Sequence, residues 1–168
     1  MSNYTVHGEF PALDRPVLVV MLGGWIDASG AAAAAIASIE EHCSMQPLVT
    51  FDGDAFIDYR ARRPLMELRD GVNKRLVWND IEMKVGHDND GNPVVTLSGP
   101  EPDSQWRTFA AAVKEIALRL GVYQMVALGA YPFATPHSRP SRLSSTSPSA
   151  TSWRTCRISR TPSTYPPA

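Results

Sequence analysis

No Asp or Glu occurs after Glu115 in this 168-residue chain, and the last thirty residues carry five arginines. The formal net charge of −1 therefore hides a split: residues 1 to 138 hold 11 Lys and Arg against 17 Asp and Glu. An acidic body excludes a nucleic-acid-binding core, which needs a basic face to neutralise phosphates. Cysteine is nearly absent. Cys43 and Cys156 are too few and too far apart for a disulfide framework or a zinc site, so a reduced, cytoplasmic setting and no metal are expected. Long apolar runs are missing as well. The apolar run Val17–Leu22 is too short to cross a membrane or to serve as a signal sequence, and the N-terminus lacks a basic lead. Also missing are a GxGxxG fingerprint, a GxxxxGK[ST] loop and a G-x-S-x-G elbow, which leaves no cofactor expected.

What is present is organised around residues 16 to 41. The unbroken apolar run Val17–Leu22 reads as a strand buried on both faces. Gly23 and Gly24 turn the chain, and Asp27 or Ser29 can cap a following helix that begins with five alanines and ends at Glu40 and Glu41. A buried strand, a glycine corner and a helix form the first half of a βαβ unit, whose site lies beyond the strand's carboxyl end. The corner reads either as a nucleotide cradle or as a packing corner. Alanines suit a helix lying close against a sheet or another subunit.

Further on, residues 47–51 read as a second strand, parallel to the first through a right-handed crossover. The segment from Phe56 to Pro64 sets Arg60, Arg62 and Arg63 beside Tyr59 and Asp58. Guanidinium forks of this density can hold a phosphate or carboxylate, or can form an ion-paired subunit face. Residues 66–69, 76–78 and 81–85 predict short antiparallel strands with one wet face, a small insertion in the main sheet. The run from Asp88 to Asn92 resembles a calcium loop out of register and reads as a hairpin turn. Residues 94–97 form another buried strand, delivering Gly99 and Glu101 at its end. Asp103 or Ser104 then caps a helix carrying Trp106, Phe109, Val113, Ile116, Ala117 and Leu120, closed by Gly121. Residues 125–128 form a last buried strand leading to Gly129, His137 and Arg139.

Strand and helix alternation with a small antiparallel insertion predicts an α/β fold whose mostly parallel sheet is covered on both sides. Three strand exits carry the chemistry. Asp27 and Glu101 are candidate acids or bases, His137 a candidate proton shuttle, and Arg62, Arg63 or Arg139 candidate anion ligands. Trp25 and Trp106 are expected to pack or to face a partner.

The ordered pieces GGWIDASGAAAAA at 23–35, FIDYRARRP at 56–64, LSGPEPDSQWRTF at 97–109 and LGVYQMVALGA leading to PHSRP at 120–140 resemble the PAC2 family, named for proteasome assembly chaperone 2, in its actinobacterial form. Ile26 stands where relatives tend to have a polar residue, which argues against a polar catalytic centre at that corner. The resemblance implies a three-layer, nucleoside-phosphorylase-like α/β fold and homo-oligomeric assembly. It implies proteasome subunits as partners, or an enzyme of phosphorylase or ATP-grasp carboxylate-amine ligase type acting on a small anionic or nucleoside-like ligand.

From Arg139 on, 8 Ser, 5 Thr, 5 Pro and 5 Arg replace apolar periodicity, a composition that cannot bury a core. The expected organisation is an α/β unit over 1–140 and a disordered basic tail over 141–168. A shifted reading frame near Ala150 would account for the tail, since permitted codons let the frame one base earlier encode an acidic and apolar continuation. On that reading the fold is incomplete at its C-terminus.

Overall fold

The computed structural model describes residues 3–134, 136, 138–139 and 143–148. The chain divides into two units, Met1–Pro132 and Phe133–Ala168. The first contains β1 (Tyr4–Val6), β2 (Val17–Gly23), α1 (Ala31–His42), β3 (Gln46–Phe51), α2 (Gly53–Phe56), β4 (Leu65–Arg69), β5 (Val72–Val77), β6 (Glu82–His87), β7 (Pro93–Pro100), α3 (Trp106–Arg119) and β8 (Gln124–Ala127). In the second, the Arg139 N–H donates to the Pro136 carbonyl at 3.0 Å.

Six strands form one mixed sheet in the order β1-β3-β6-β7-β2-β8. Strand β2 pairs in parallel with both β7 and β8, as an apolar run flanked by helix connections should. The other three pairings are antiparallel. Strand β3 does run in the direction of β2, but β6 and β7 lie between them.

Strand β6 is where the expected insertion departs from the structure. Residues 81–85 alternate in polarity, yet Ile81 and Met83 are fully buried and β6 is an interior strand of the main sheet. Alternation marks one apolar and one polar face, and here the polar face is occupied by Glu82 and Lys84 beneath α1. Only β4 and β5 form the small separate sheet. They join through Asp70 and Gly71, both at positive φ as a type I′ turn requires, and the hairpin is wet on both faces rather than one.

The sheet has a helix on each side. Against α3 lies the larger core: Leu18, Val49, Phe51, Met83, Val95 and Leu97 meet Phe109, Ala112, Ile116 and Leu120. Phe51, Phe56 and Phe109 form a ring cluster with centroids 4.8 to 6.2 Å apart and tilted or edge-on planes, the favourable aromatic geometry. Against α1 lies a smaller cluster of Val19, Met21, Ala32 and Ile36. Between β6 and β7, Asp88 closes the turn by accepting from the amides of Asp90 and Asn92 and from the Asn92 side chain. No helix among the described residues is long and apolar enough to cross a membrane.

Candidate functional site

Because β7, β2 and β8 are parallel neighbours, their carboxyl ends emerge side by side, where open α/β sheets build their sites. Backbone bonds stitch the exits together. The Glu101 N–H donates to the Gly23 carbonyl at 2.9 Å, Ala130 N–H to Ile26 at 2.6 Å, and Ala28 N–H to Ala130 at 2.9 Å.

Each exit residue then has a defined employment. The Asp27 carboxylate accepts from the amides of Ala32 at 3.1 Å and Ala33 at 3.0 Å, while Ser29 Oγ accepts from Ala31 at 3.3 Å. Asp27 thus satisfies the orphan donors of α1, and Gly30, at φ 70°, makes the tight entry. Glu101 lies against Gly24, where any Cβ would collide with its carboxyl group. On the far side, a Cβ on Gly129 would crowd the Ile26 side chain.

Arg62 ties this edge to the segment after α2. Its Nε donates to both Asp103 oxygens at 3.1 Å, and its terminal nitrogen lies 3.9 Å from Glu101. Asp103 also accepts from the Asp58 amide at 2.9 Å. Asp103 and Ser104, expected as helix caps, do not cap α3. Ser104 donates instead to the Ala55 carbonyl, and Gln105, at φ 52°, precedes the helix without a side-chain cap. The demand of the α2 segment for partners outweighs the local preference for capping.

Tyr59 stacks edge-on against Trp78 with centroids 5.0 Å apart, and its hydroxyl sits over Gly53. Burial, then the neighbouring Asp54, Asp80 and Asp52, push its phenol above the usual range, so it stays neutral. Arg60 is held by Asp58 at 3.3 Å, and that pairing lowers the Asp58 carboxyl. Arg63 and Pro64 complete, with Asp58, Tyr59 and Arg60, a shallow open concavity of about 710 Å³.

Of the remaining candidates, Trp25 is 81% exposed and Trp106 is half-exposed, so neither packs in the core. Arg139 is exposed within the second unit, and His137 lies outside the described residues. Glu101 and Arg62 are brought together, whereas Asp27 is engaged by the helix behind them. Among the described residues no three His, Cys, Asp or Glu side chains group as metal ligands.

A polar cluster that motif reading passed over lies beneath α1. Glu40 accepts from Lys84 Nζ at 2.7 Å, Thr96 Oγ1 at 2.9 Å and Ser98 Oγ at 2.8 Å. The register of β6 with β7, Lys84 opposite Thr96 and Glu82 opposite Ser98, assembles it. Polar side chains at alternate positions of β6 and β7 were its only signal in the sequence.

The sheet order, the α1–sheet–α3 layering and the stitched exits define a mixed α/β protein whose exit residues are held by ion pairs and caps. The chain belongs to the PAC2 family, whose model matches residues 21–161. Among solved structures it is similar to a proteasome-assembly chaperone homologue of Mycobacterium tuberculosis, at 33% identity and a TM-score of 0.77 over 90% of this chain and 64% of that one. It is also similar to a Mycobacterium tuberculosis protein of unknown function, with 36% identity, a TM-score of 0.73 and coverage of 82% and 50%. A PAC2 family protein of Streptomyces avermitilis shares 29% identity and a TM-score of 0.75, with coverage of 91% and 65%. The chain thus spans about half to two thirds of the length of these relatives. No curated protein matches it significantly.

Proposed function

We propose that this chain is a cytoplasmic, homo-oligomeric binding protein of the assembly-chaperone kind that escorts proteasome subunits without performing a reaction of its own. One observation carries the reading. The polar side chains at the strand exits are engaged in fixing the fold: Asp27 holds the start of α1, and Arg62 clamps Asp103 beside Glu101. A general acid or base needs a proton-accepting atom free to meet a substrate, and a carboxylate committed to two helix amides has little to offer. The likeness to a proteasome-assembly chaperone homologue supports the same reading. The α/β/α layering agrees with a nucleoside-phosphorylase-like plan, a matter of fold that leaves function to the site.

The test is to mix the purified chain with separate proteasome subunits and follow ring formation on native gels. A chaperone shifts subunits into discrete intermediates at stoichiometric ratio and speeds ring formation. A chain that binds no subunit, but whose melting point rises saturably with a nucleoside or small anion, would be an enzyme instead.

A further inference from the structure

Aspartate followed by glycine is a sequence at which a polypeptide readily rearranges its own backbone, because glycine has no Cβ to shield its amide or to restrict its dihedrals. The chain has three such pairs, Asp52-Gly53, Asp70-Gly71 and Asp90-Gly91, and no Asn-Gly. In the rearrangement the glycine nitrogen attacks the aspartate Cγ. A C–N bond forms, and the hydroxyl of the protonated carboxyl leaves with the amide proton as water. Water then opens the five-membered imide at either carbonyl, returning aspartate or giving isoaspartate, in which the main chain runs through the former side chain. The net change is an isomerisation that consumes nothing. It needs an unengaged carboxyl, an unengaged amide and a backbone free to bring them together.

The fold withholds these from two of the pairs. The Asp52 carboxylate accepts from the Asp54 amide at 3.1 Å, its carbonyl accepts from Ala55 and Phe56, and the Tyr59 hydroxyl crowds Gly53. At the second pair the Gly91 N–H donates to the Asp88 carbonyl at 3.0 Å and the Asp90 N–H to the Asp88 carboxylate at 3.0 Å. That turn also joins β6 and β7, two interior strands of the main sheet.

Asp70 and Gly71 are both exposed. Neither the Asp70 carboxylate nor the Gly71 N–H has a partner among the described residues, and the space where a Gly71 Cβ would sit is open. The turn they form closes a hairpin in which every strand residue but Glu67 is exposed. A two-stranded hairpin of this kind is marginal in water and opens without the rest of the fold. We infer that Asp70 is a site of spontaneous conversion to isoaspartate in the folded protein. The product carries an extra main-chain carbon, which a two-residue type I′ turn cannot absorb, and that turn sets the register of β4 with β5. Conversion therefore loosens the hairpin and leaves the main sheet intact.

The experiment incubates the full chain in native buffer and in guanidinium chloride and digests both samples with trypsin. Isoaspartate in each peptide is then measured by methyl transfer from S-adenosylmethionine with an isoaspartyl methyltransferase. In native buffer Asp70 should convert about tenfold or more faster than Asp52 or Asp90, because only its turn opens locally. In denaturant the three pairs should convert at similar rates. The comparison is made within one wild-type molecule, so it does not depend on a variant that folds. Asp70→Glu keeps the charge but would have to close a six-membered ring, and should lose the signal from its peptide. Native conversion at Asp52 or Asp90 that matches Asp70, or none at any of the three, would overturn the inference. The same preference for Asp70 in denaturant would overturn it too, by tracing the reactivity to local sequence instead of the fold. So would a signal that persists in Asp70→Glu.

Discussion

Glu40 projects from α1 onto the sheet where water is scarce, and burial alone would push its carboxyl group up. Hydrogen bonds from Lys84, Ser98 and Thr96, with the Lys84 charge, more than offset this and hold it below the ordinary value of 4.5. A carboxylate depressed in the folded state stabilises the fold above its unfolded pKa and loses that contribution as pH falls through the folded value. Replacing Glu40 with Gln should therefore cost about 1 to 3 kcal/mol at neutral pH, mostly by removing the carboxylate 2.7 Å from Lys84 and leaving it only Glu82 at 3.7 Å. The cost should shrink in acid below the depressed pKa. Urea unfolding at neutral and acid pH measures both, and equal stabilities of variant and wild type at neutral pH would refute the role. Asp27→Ala should cost about 1 kcal/mol through loss of the α1 cap, read from the same unfolding curves. The two residues differ in legibility. Asp27 caps amides five and six positions away, within reach of local reasoning, whereas Glu40 meets Lys84 across 44 residues of sequence. Local pattern names the inward positions but not which of them converge.

Elements follow the same division. The strand over 17–22, the alanine-rich helix after it and the helix closed by Gly121 were legible because each carries its own period and its own stop. Strand order was not, because pairing depends on what the whole chain can bury. Strand β6 illustrates this, since its alternating residues fit a surface insertion and an interior strand equally well until α1 supplies a partner for Lys84. Gly99 shows how tightly the elements then meet. It adopts φ 133°, and a Cβ there would collide with the Asp80 carbonyl oxygen. Gly99→Ala should accordingly destabilise by about 1 to 3 kcal/mol or more, since both the dihedral and the contact oppose a side chain. Phe109→Ala, at a position only 4% exposed within the ring cluster, should cost about 3 to 5 kcal/mol. If chemical denaturation finds Phe109→Ala as stable as wild type, α3 does not supply the main core.

At the scale of the whole molecule the two borders of the main sheet differ. The β1 border is protected by being short: three residues, with Tyr4 and Val6 packed against the larger core. The β8 border is exposed along all four residues, and Met125 is 62% accessible beside exposed Val126 and Tyr123. Because β8 pairs among the described residues only with β2, its outer amides and carbonyls form a template on which another strand can grow. Natural sheets blunt such a border with a charge, and β8 has none, reading Gln124-Met125-Val126-Ala127. A lysine at position 125 supplies one without removing a buried contact. Met125→Lys should leave equilibrium stability within about 0.5 kcal/mol of wild type, as for a surface substitution, while lowering aggregation on heating. Light scattering through a thermal ramp separates border-driven aggregation from aggregation of the unfolded chain. Onset that moves to higher temperature while the circular dichroism midpoint stays fixed assigns the aggregation to β8. Unchanged onset assigns it to exposure of the core on unfolding, and the β8 border would then carry no liability.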